Sequence, residues 1–343
     1  MTSERKIKFR CDVLKNGIPF KTLDMVSCRI DCQKDAVIHR TASFVVRSTE
    51  GVDLLKDRLR PVMIINDTEH SLGVFLPMSP TKTAATGTRT EQIDAYDVTA
   101  ILREDSLTER LFIAAGTKYT TAVESIVIGA NVGNLEITES DKVLRADREF
   151  DIGTSKLDII NELLSEINYK SAVADVNGKI IIEPYARPVL SAVNKIYKAD
   201  EVSKIRPDIT ESADFYNVPN VFIAVVSNSD LEEDLVSVYT NDNPASKLST
   251  LYRGRKIVSE IYQPDGIASQ EDLDAYVAKK AFDAMQIEQT VEITTALMPD
   301  HGVGDVIFIE HPEVTGAFEE MAWSMELNAG GAMTHTLRRI VND

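Results

Sequence analysis

A chain of 343 residues with 43% hydrophobic and 27% charged side chains reads as a globular protein of two or three packed domains. Its apolar runs, such as Val221–Val226, fall far short of the roughly 20 residues of a membrane helix, and the polar start Met-Thr-Ser-Glu-Arg-Lys-Ile-Lys has no apolar signal core, so synthesis and folding in the cytosol are expected. The net charge of −17 is uneven: residues 1–100 hold 13 acidic and 15 basic side chains, against 41 and 22 in the remainder, a balance that argues against sequence-specific DNA binding.

The first hundred residues carry the alternation and turn chemistry of antiparallel β structure. Lys6–Leu14 leads into Asn16-Gly17, a hairpin signal, and Met25–Gln33, Thr41–Arg47, Val62–Ile65, Leu72–Leu76 and Gln92–Leu102 follow as predicted strands. Val52, Leu55 and Leu59 recur at helical spacing before Pro61, which predicts one short helix over Gly51–Leu59, and Thr81–Thr90 reads as a polar loop. The class that results is a small barrel or curled sheet. Cys11, Cys28 and Cys32 all fall here, an odd count without a secretion signal. Cys28 and Cys32 share a strand face with His39 nearby, but a structural zinc takes four ligands, so buried reduced thiols are expected.

From Arg103 the period changes. Lys118–Ile128 predicts a helix stopping at Gly129. A second helix opens at Ser155, with Asp158 in capping-box position, and carries Leu157, Ile160, Leu163, Leu164 and Ile167 as one apolar stripe. A hairpin around Asn177-Gly178 follows, and Pro184–Pro188 is either an exit linker or a loop within the domain.

After Ala199 strands return at Ser203–Ile205, Asn220–Val226, Val236–Tyr239 and Lys256–Tyr262, with a polar insertion over 227–251 that reads as a surface loop or small lobe. Ser269-Gln-Glu-Asp272 opens an acidic helix carrying Leu273, Tyr276, Val277, Ala281, Ala284 and Met285. The strands Thr290–Leu297, Asp305–Glu310, Glu320–Leu327 and Thr334–Val341 close the chain, and Met298–Asp305 reads as a hairpin turn joining the first two.

Tests for catalytic and cofactor chemistry find no constellation. Aromatic residues are 6% and Trp323 is the single tryptophan, which does not suit a sugar cleft between paired carboxylates. Asp230, Glu232, Glu233 and Asp234 read as a solvated loop. His39, His70, His301, His311 and His335 form no HExxH or HxH element. Asp300, His301 and Asp305 beside Gly302 and Gly304 invite a metal hypothesis, which tight-turn chemistry explains better. Dinucleotide, Walker and Gly-x-Ser-x-Gly signatures are missing. No catalytic, cofactor-binding or metal residue is therefore assigned, no cofactor is expected, and channel or interface residues are left unassigned.

The order of elements resembles the hub proteins of phage tails and related contractile injection systems, a group that includes phage late-control D proteins and the N-terminal part of type VI spike proteins. Four passages carry the resemblance: Arg60–Asp67 with Leu72–Leu76; Ile93–Leu102; Val218–Val226; and the closing helix–strand–Gly304-Asp305–strand unit. The resemblance implies an α+β, predominantly β fold with two small barrel-like tube domains, 1–102 and 200–343, and an α/β domain, 103–199, between them. It further implies a non-enzymatic homotrimer whose ring adapts a sixfold tail tube to a threefold tip and lets DNA pass without specific binding. The implied partners are the tail tube or distal tail protein, the tape-measure protein and spike or receptor-binding tip proteins, in a virion assembled in the host cytoplasm. The 25 acidic against 10 basic residues of 201–343 are expected to line part of the channel. The alternatives are an acidic protein-binding module of a cellular complex and a tail-associated cell-wall hydrolase.

Overall fold

The computed structural model describes residues 5–85, 88–198, 205–212, 218–227, 234–264, 267, 269–285 and 290–340. The first section folds as β1 (Ile7–Lys15), β2 (Ile18–Leu23), β3 (Met25–Gln33), β4 (Arg40–Val46), β5 (Arg58–Ile65), β6 (Thr68–Ser71), β7 (Phe75–Ala85) and β8 (Thr88–Asp97). Its turns are chemically specified: Asn16 and Gly17 reverse β1 into β2 at φ 51° and 79°, and Asn66 and Asp67 reverse β5 into β6 at φ 48° and 66°, the positive-φ pairs that match strand twist. Strict alternation in β4, buried at Arg40, Ala42, Phe44 and Val46, sends one face inward. The inward set of β3, Cys28, Ile30 and Cys32, meets it in one core with Cys11, Phe44, Phe75 and Ile93. The three cysteines are free and buried, and burial pushes the Cys11 thiol up to about 12 and the Cys32 thiol to about 11, so they pack as small hydrophobes.

Three local expectations fail here, each for a physical reason. No helix forms over Gly51–Leu59. The amides of Lys56 and Asp57 bond to the Asp53 carbonyl, and the Asp57 carboxylate takes the Asp53 amide, a local competitor to helix; Leu55 is 92% exposed while Leu59 is buried in β5. Thr81–Thr90 is not a loop: β7 and β8 pair out to Ala85 and Thr88, and the stretch is polar because residues 79–84 are exposed. The strand expected to reach Leu102 stops at Asp97, whose carboxylate accepts the Thr99 amide and starts α1 (Thr99–Glu104).

The middle section adds β9 (Leu111–Ile113), α2 (Tyr119–Gly129), β10 (Leu135–Ile137), β11 (Arg148–Phe150), α3 (Lys156–Glu166), β12 (Val173–Ala174) and β13 (Ile180–Ile182). Ser155 caps α3 by accepting the Asp158 amide, and the α3 stripe forms one core with Val123 and Val127 of α2. That core takes in Leu14, Val74 and Leu76 of the first section, so the middle section is packed onto it. Tyr185 and Arg187 of the Pro184–Pro188 stretch lie against the acidic helix further on, with Lys279 over the Tyr185 ring at 4.4 Å and Arg187 over Phe282 at 4.0 Å.

The last section contains β14 (Val193–Lys198), β15 (Ile205–Ser212), β16 (Val221–Val226), β17 (Leu235–Thr240), α4 (Thr250–Arg253), β18 (Val258–Tyr262), α5 (Gln270–Met285), β19 (Thr290–Thr295), β20 (Val306–Glu310), β21 (Thr315–Leu327) and β22 (Met333–Arg339). Residues 203–204 of the strand expected at Ser203–Ile205, and Asp230, Glu232 and Glu233, lie outside the described residues. Strands β16–β18 form a separate three-stranded sheet on which α5 packs through Leu273, Val277 and Ala281; residues 234–251 of the expected insertion 227–251 are one part of this lobe. The acidic helix thus packs on strands that precede it rather than on β19 and β20. Nor do β19 and β20 form a hairpin. β19 pairs with β15 and β22, β20 with β14 and β21, and Met298–Asp305 crosses between them with His301 buried.

Candidate functional site

Strand β21, 13 residues long, decides how the molecule is joined. One side of it pairs with β22. The other side pairs with β20 over Thr315–Glu319 and with β3 over Ala322–Leu327. The sheet therefore forks at Glu320–Ala322, where the β21–β22 register slips. Through the β21–β3 seam the first and last sections share one sheet of 14 strands among the described residues, with its main path running from β15 at one edge to β2 at the other. The seam is apolar inside: Trp323, Met325 and Leu327, with Leu297 and Met333, complete the first section's core.

Charged residues hold the fork on its outer side. Glu319, 3% exposed, accepts Arg338 at 2.6 Å and Lys34, the residue after β3's end. Arg338 also reaches the Asp283 carboxylate of α5 at 3.9 Å and its carbonyl at 3.3 Å. Lys34, Glu319, Arg338 and Asp283 thus tie first section, last section and lobe together. Burial raises the Asp283 carboxyl above its ordinary range despite Lys34 and Arg338.

On the inner side sits a denser cluster. His301 from the crossing segment places Nδ1 2.5 Å from Glu320 Oε2, and His335 of β22 places Nδ1 against Glu320 Oε1. All three side chains have zero exposure. The outer ring nitrogens meet hydroxyls, His301 Nε2 that of Tyr197 at 2.6 Å and His335 Nε2 that of Thr295 at 2.8 Å. Burial alone would raise the Glu320 carboxyl, but the two imidazoles hold it below the usual range, while burial lowers His335 against the pull of Glu320. The backbone locks the fork in the same place: the Gly304 amide bonds to the Glu320 carbonyl at 2.7 Å, and the Glu320 amide to Asp305 at 2.9 Å.

No family model and no curated protein matches the sequence, whereas solved structures match over nearly the whole chain. A tail protein from Neisseria meningitidis MC58 superimposes with a TM-score of 0.71 at 13% identity, covering 96% of each chain. The chain has a phage tail-protein fold. The 43 kDa tail protein of prophage MuSo2 from Shewanella oneidensis aligns with a TM-score of 0.65 at 10% identity over 96% of this chain and 98% of that one. A type VI secretion component of E. coli, described as similar to T4 tail proteins, gives 0.51 at 11% identity over 98% of this chain and 77% of that one. The tail-protein fold is α+β and predominantly β, as the sequence resemblance implies. At this level of identity shape is shared and side chains are not, so the fork cluster has to be read from this chain alone.

Of the three residues that invite a metal hypothesis in sequence, Asp300 is exposed near His70, Asp305 pairs with Lys195 at 2.8 Å and accepts the Gly302 amide, and only His301 enters the cluster. His335 and Glu320 carried no sequence signal; their one trace is a His and a Glu at inward positions of strands with otherwise apolar inward residues. What the arrangement can do chemically is hold a proton network or a cation, and it joins four elements in either case.

Proposed function

We propose that the chain is the structural hub of a phage tail tip or baseplate, or of a phage-tail-like particle, acting as a trimeric ring without catalytic activity. The observation that carries this reading is the fork: one chain fuses two strand-rich sections into a sheet whose outermost strand β2, among the described residues, pairs with β1 alone. An open edge is ready to pair with another chain, and a ring is the closed solution when each copy covers the β2 edge of the next. Ile18 and Phe20 on the β2 edge, 69% and 47% exposed, are apolar contacts awaiting such a neighbour. Three chains with two sections each give six quasi-equivalent positions, which suits a junction between a sixfold tube and a threefold tip.

In this reading the partners are the tail tube or distal tail protein, the tape-measure protein and the spike or receptor-binding tip, in a virion assembled in the host cytoplasm. The acidic surplus of the last section faces the channel in part, where like charge keeps passing DNA from adhering. The test is size-exclusion chromatography with light scattering on the full chain, followed by negative-stain imaging. A trimer with a threefold ring is expected, and the double variant Ile18→Asp/Phe20→Asp is expected to remain folded by circular dichroism but lose the trimer. A wild-type chain that stays monomeric at tens of micromolar, alone and with its tube protein, counts against the hub reading.

A further inference from the structure

We propose that His301, His335 and Glu320 form a binding site for one divalent transition-metal ion, zinc in the first place, that clamps the fork of the sheet. The three candidate ligand atoms lie within 4.8 Å of one another, and they come from three separate pieces of chain: the crossing segment, β21 and β22. Two imidazoles and a carboxylate are a donor set that zinc accepts, with a further position left for a small ligand.

The outer contacts support the assignment. A metal-bound histidine ordinarily donates its other ring N–H to a fixed oxygen, which sets tautomer and ring orientation. Here both rings turn Nδ1 inward and hold Nε2 against an oxygen, Tyr197 Oη for His301 and Thr295 Oγ1 for His335. The Thr295 hydroxyl also lies 2.9 Å from the Ala296 carbonyl. With its own proton on that carbonyl, Thr295 is left to accept Nε2–H from His335. The inward Nδ1 then carries a lone pair, the form a cation requires. In the metal-bound state both imidazoles are neutral Nε2–H tautomers and Glu320 is a carboxylate.

The electrostatics point the same way. Among the described residues no lysine or arginine is in ion-pair range of Glu320; its only charge partners are the two histidines. A fully buried carboxylate is costly without a cation or strong donors, and without metal the cluster depends on protons squeezed between three groups. Tetrahedral bonds of about 2.0–2.2 Å put ligand atoms roughly 3.3 Å apart, so an ion requires the short contacts to Glu320 to open by about 1 Å and the widest pair, now up to 4.8 Å apart, to close toward that separation. The clamp stands whether or not the chain assembles into a ring.

The experiment is metal analysis and zinc titration of the untagged full chain. After zinc loading and dialysis, plasma mass spectrometry is expected to find about one zinc per chain, and a chelator is expected to remove it with a fall in Tm. Glu320→Gln and His335→Gln are expected to weaken zinc binding by on the order of 100-fold or more, Tyr197→Phe by about 10-fold, and the distant His311→Ala not at all. Should the cluster variants fail to fold, cobalt(II) bound to the wild-type chain is expected to show visible bands of a low-coordinate nitrogen–oxygen site. Wild-type protein that retains no zinc and whose Tm is indifferent to zinc and chelator overturns the proposal and leaves a proton network; so does stoichiometric zinc that survives in both cluster variants.

Discussion

Strand β21 serves two cores that solve burial in different ways. Its C-terminal half, Ala322–Leu327, faces a core of thiols, aromatics and aliphatics around Phe44 and Phe75, while its N-terminal half enters a core where Phe318, Ile293, Ile307 and Leu337 surround Glu320 and two histidines. The first core is held by apolar area and shape, which tolerate small substitutions and resent cavities. The second holds ionisable groups whose partners must all be present, because removing one strands the others in a dry interior. One chain therefore combines a forgiving section with an unforgiving one, and the unforgiving groups lie where the sections meet.

The contrast predicts different breakages. Phe44 is fully buried and meets Phe75 edge-on, with ring centroids 6.0 Å apart. Phe44→Ala is expected to cost about 4 kcal/mol, and Phe44→Leu roughly a third of that, since the core can re-pack around a smaller apolar side chain. Chemical denaturation followed by Trp323 fluorescence measures both, because Trp323 lies in the same core. Equal losses for the two variants would show that the first core is as exacting as the second.

At the charged tie the gap between the two kinds of change should nearly close, with the conservative change almost as harmful as the drastic one. Glu319→Ala is expected to cost about 3 kcal/mol, since it leaves Arg338 and Lys34 facing each other without their shared carboxylate, and Glu319→Gln nearly as much, because the amide keeps the shape and drops the charge. Combining Glu319→Ala with Lys34→Ala is expected to recover part of the loss, as a double-mutant cycle would register. Strict additivity would mean that Lys34 and Glu319 do not communicate across the joint.

The difference between the cores also explains what was legible in the sequence. Alternation and turn chemistry placed the β1–β2 hairpin at Asn16-Gly17, the α3 cap at Ser155 and most of the longer strands, because those signals act over two to four residues, but gave no sign of β6, β9, β10, β11 or β14. The fork was illegible. His301, Glu320 and His335 are separated by 19 and 15 positions and share no short motif; a strand register unites them, and register is a property of the whole sheet. The same limit produced the expected hairpin at Met298–Asp305: Asp and Gly do mark a reversal there, but only the pairings of β19 and β20 with other strands decide that the reversal is a crossing. The helix α5 shows the same limit: its amphipathic stripe says that it packs and not on what.

The middle section lies between these extremes and offers a subtler test by pH. Its core is apolar, yet Glu166 of α3 is buried in it, donated to by Arg148 at 2.6 Å and by the Tyr119 hydroxyl at 2.8 Å. Burial outweighs the Arg148 charge and pushes the Glu166 carboxyl up to about 7, whereas in the unfolded chain it titrates near the ordinary 4.5. Between these values the folded state binds more protons than the unfolded one, so stability is greatest at the acid side and falls as pH rises through the window. This is the reverse of the usual salt-bridged carboxylate. The loss from this group between about pH 4.5 and 7 is on the order of 2 kcal/mol, and Glu166→Gln, which cannot ionise, is expected to flatten that part of the stability profile measured by urea denaturation at stepped pH. An unchanged slope would place Glu166 with the compensated ions of the fork, fully charged and matched by Arg148, and would make buried ionisation the rule in the middle section as well as in the last.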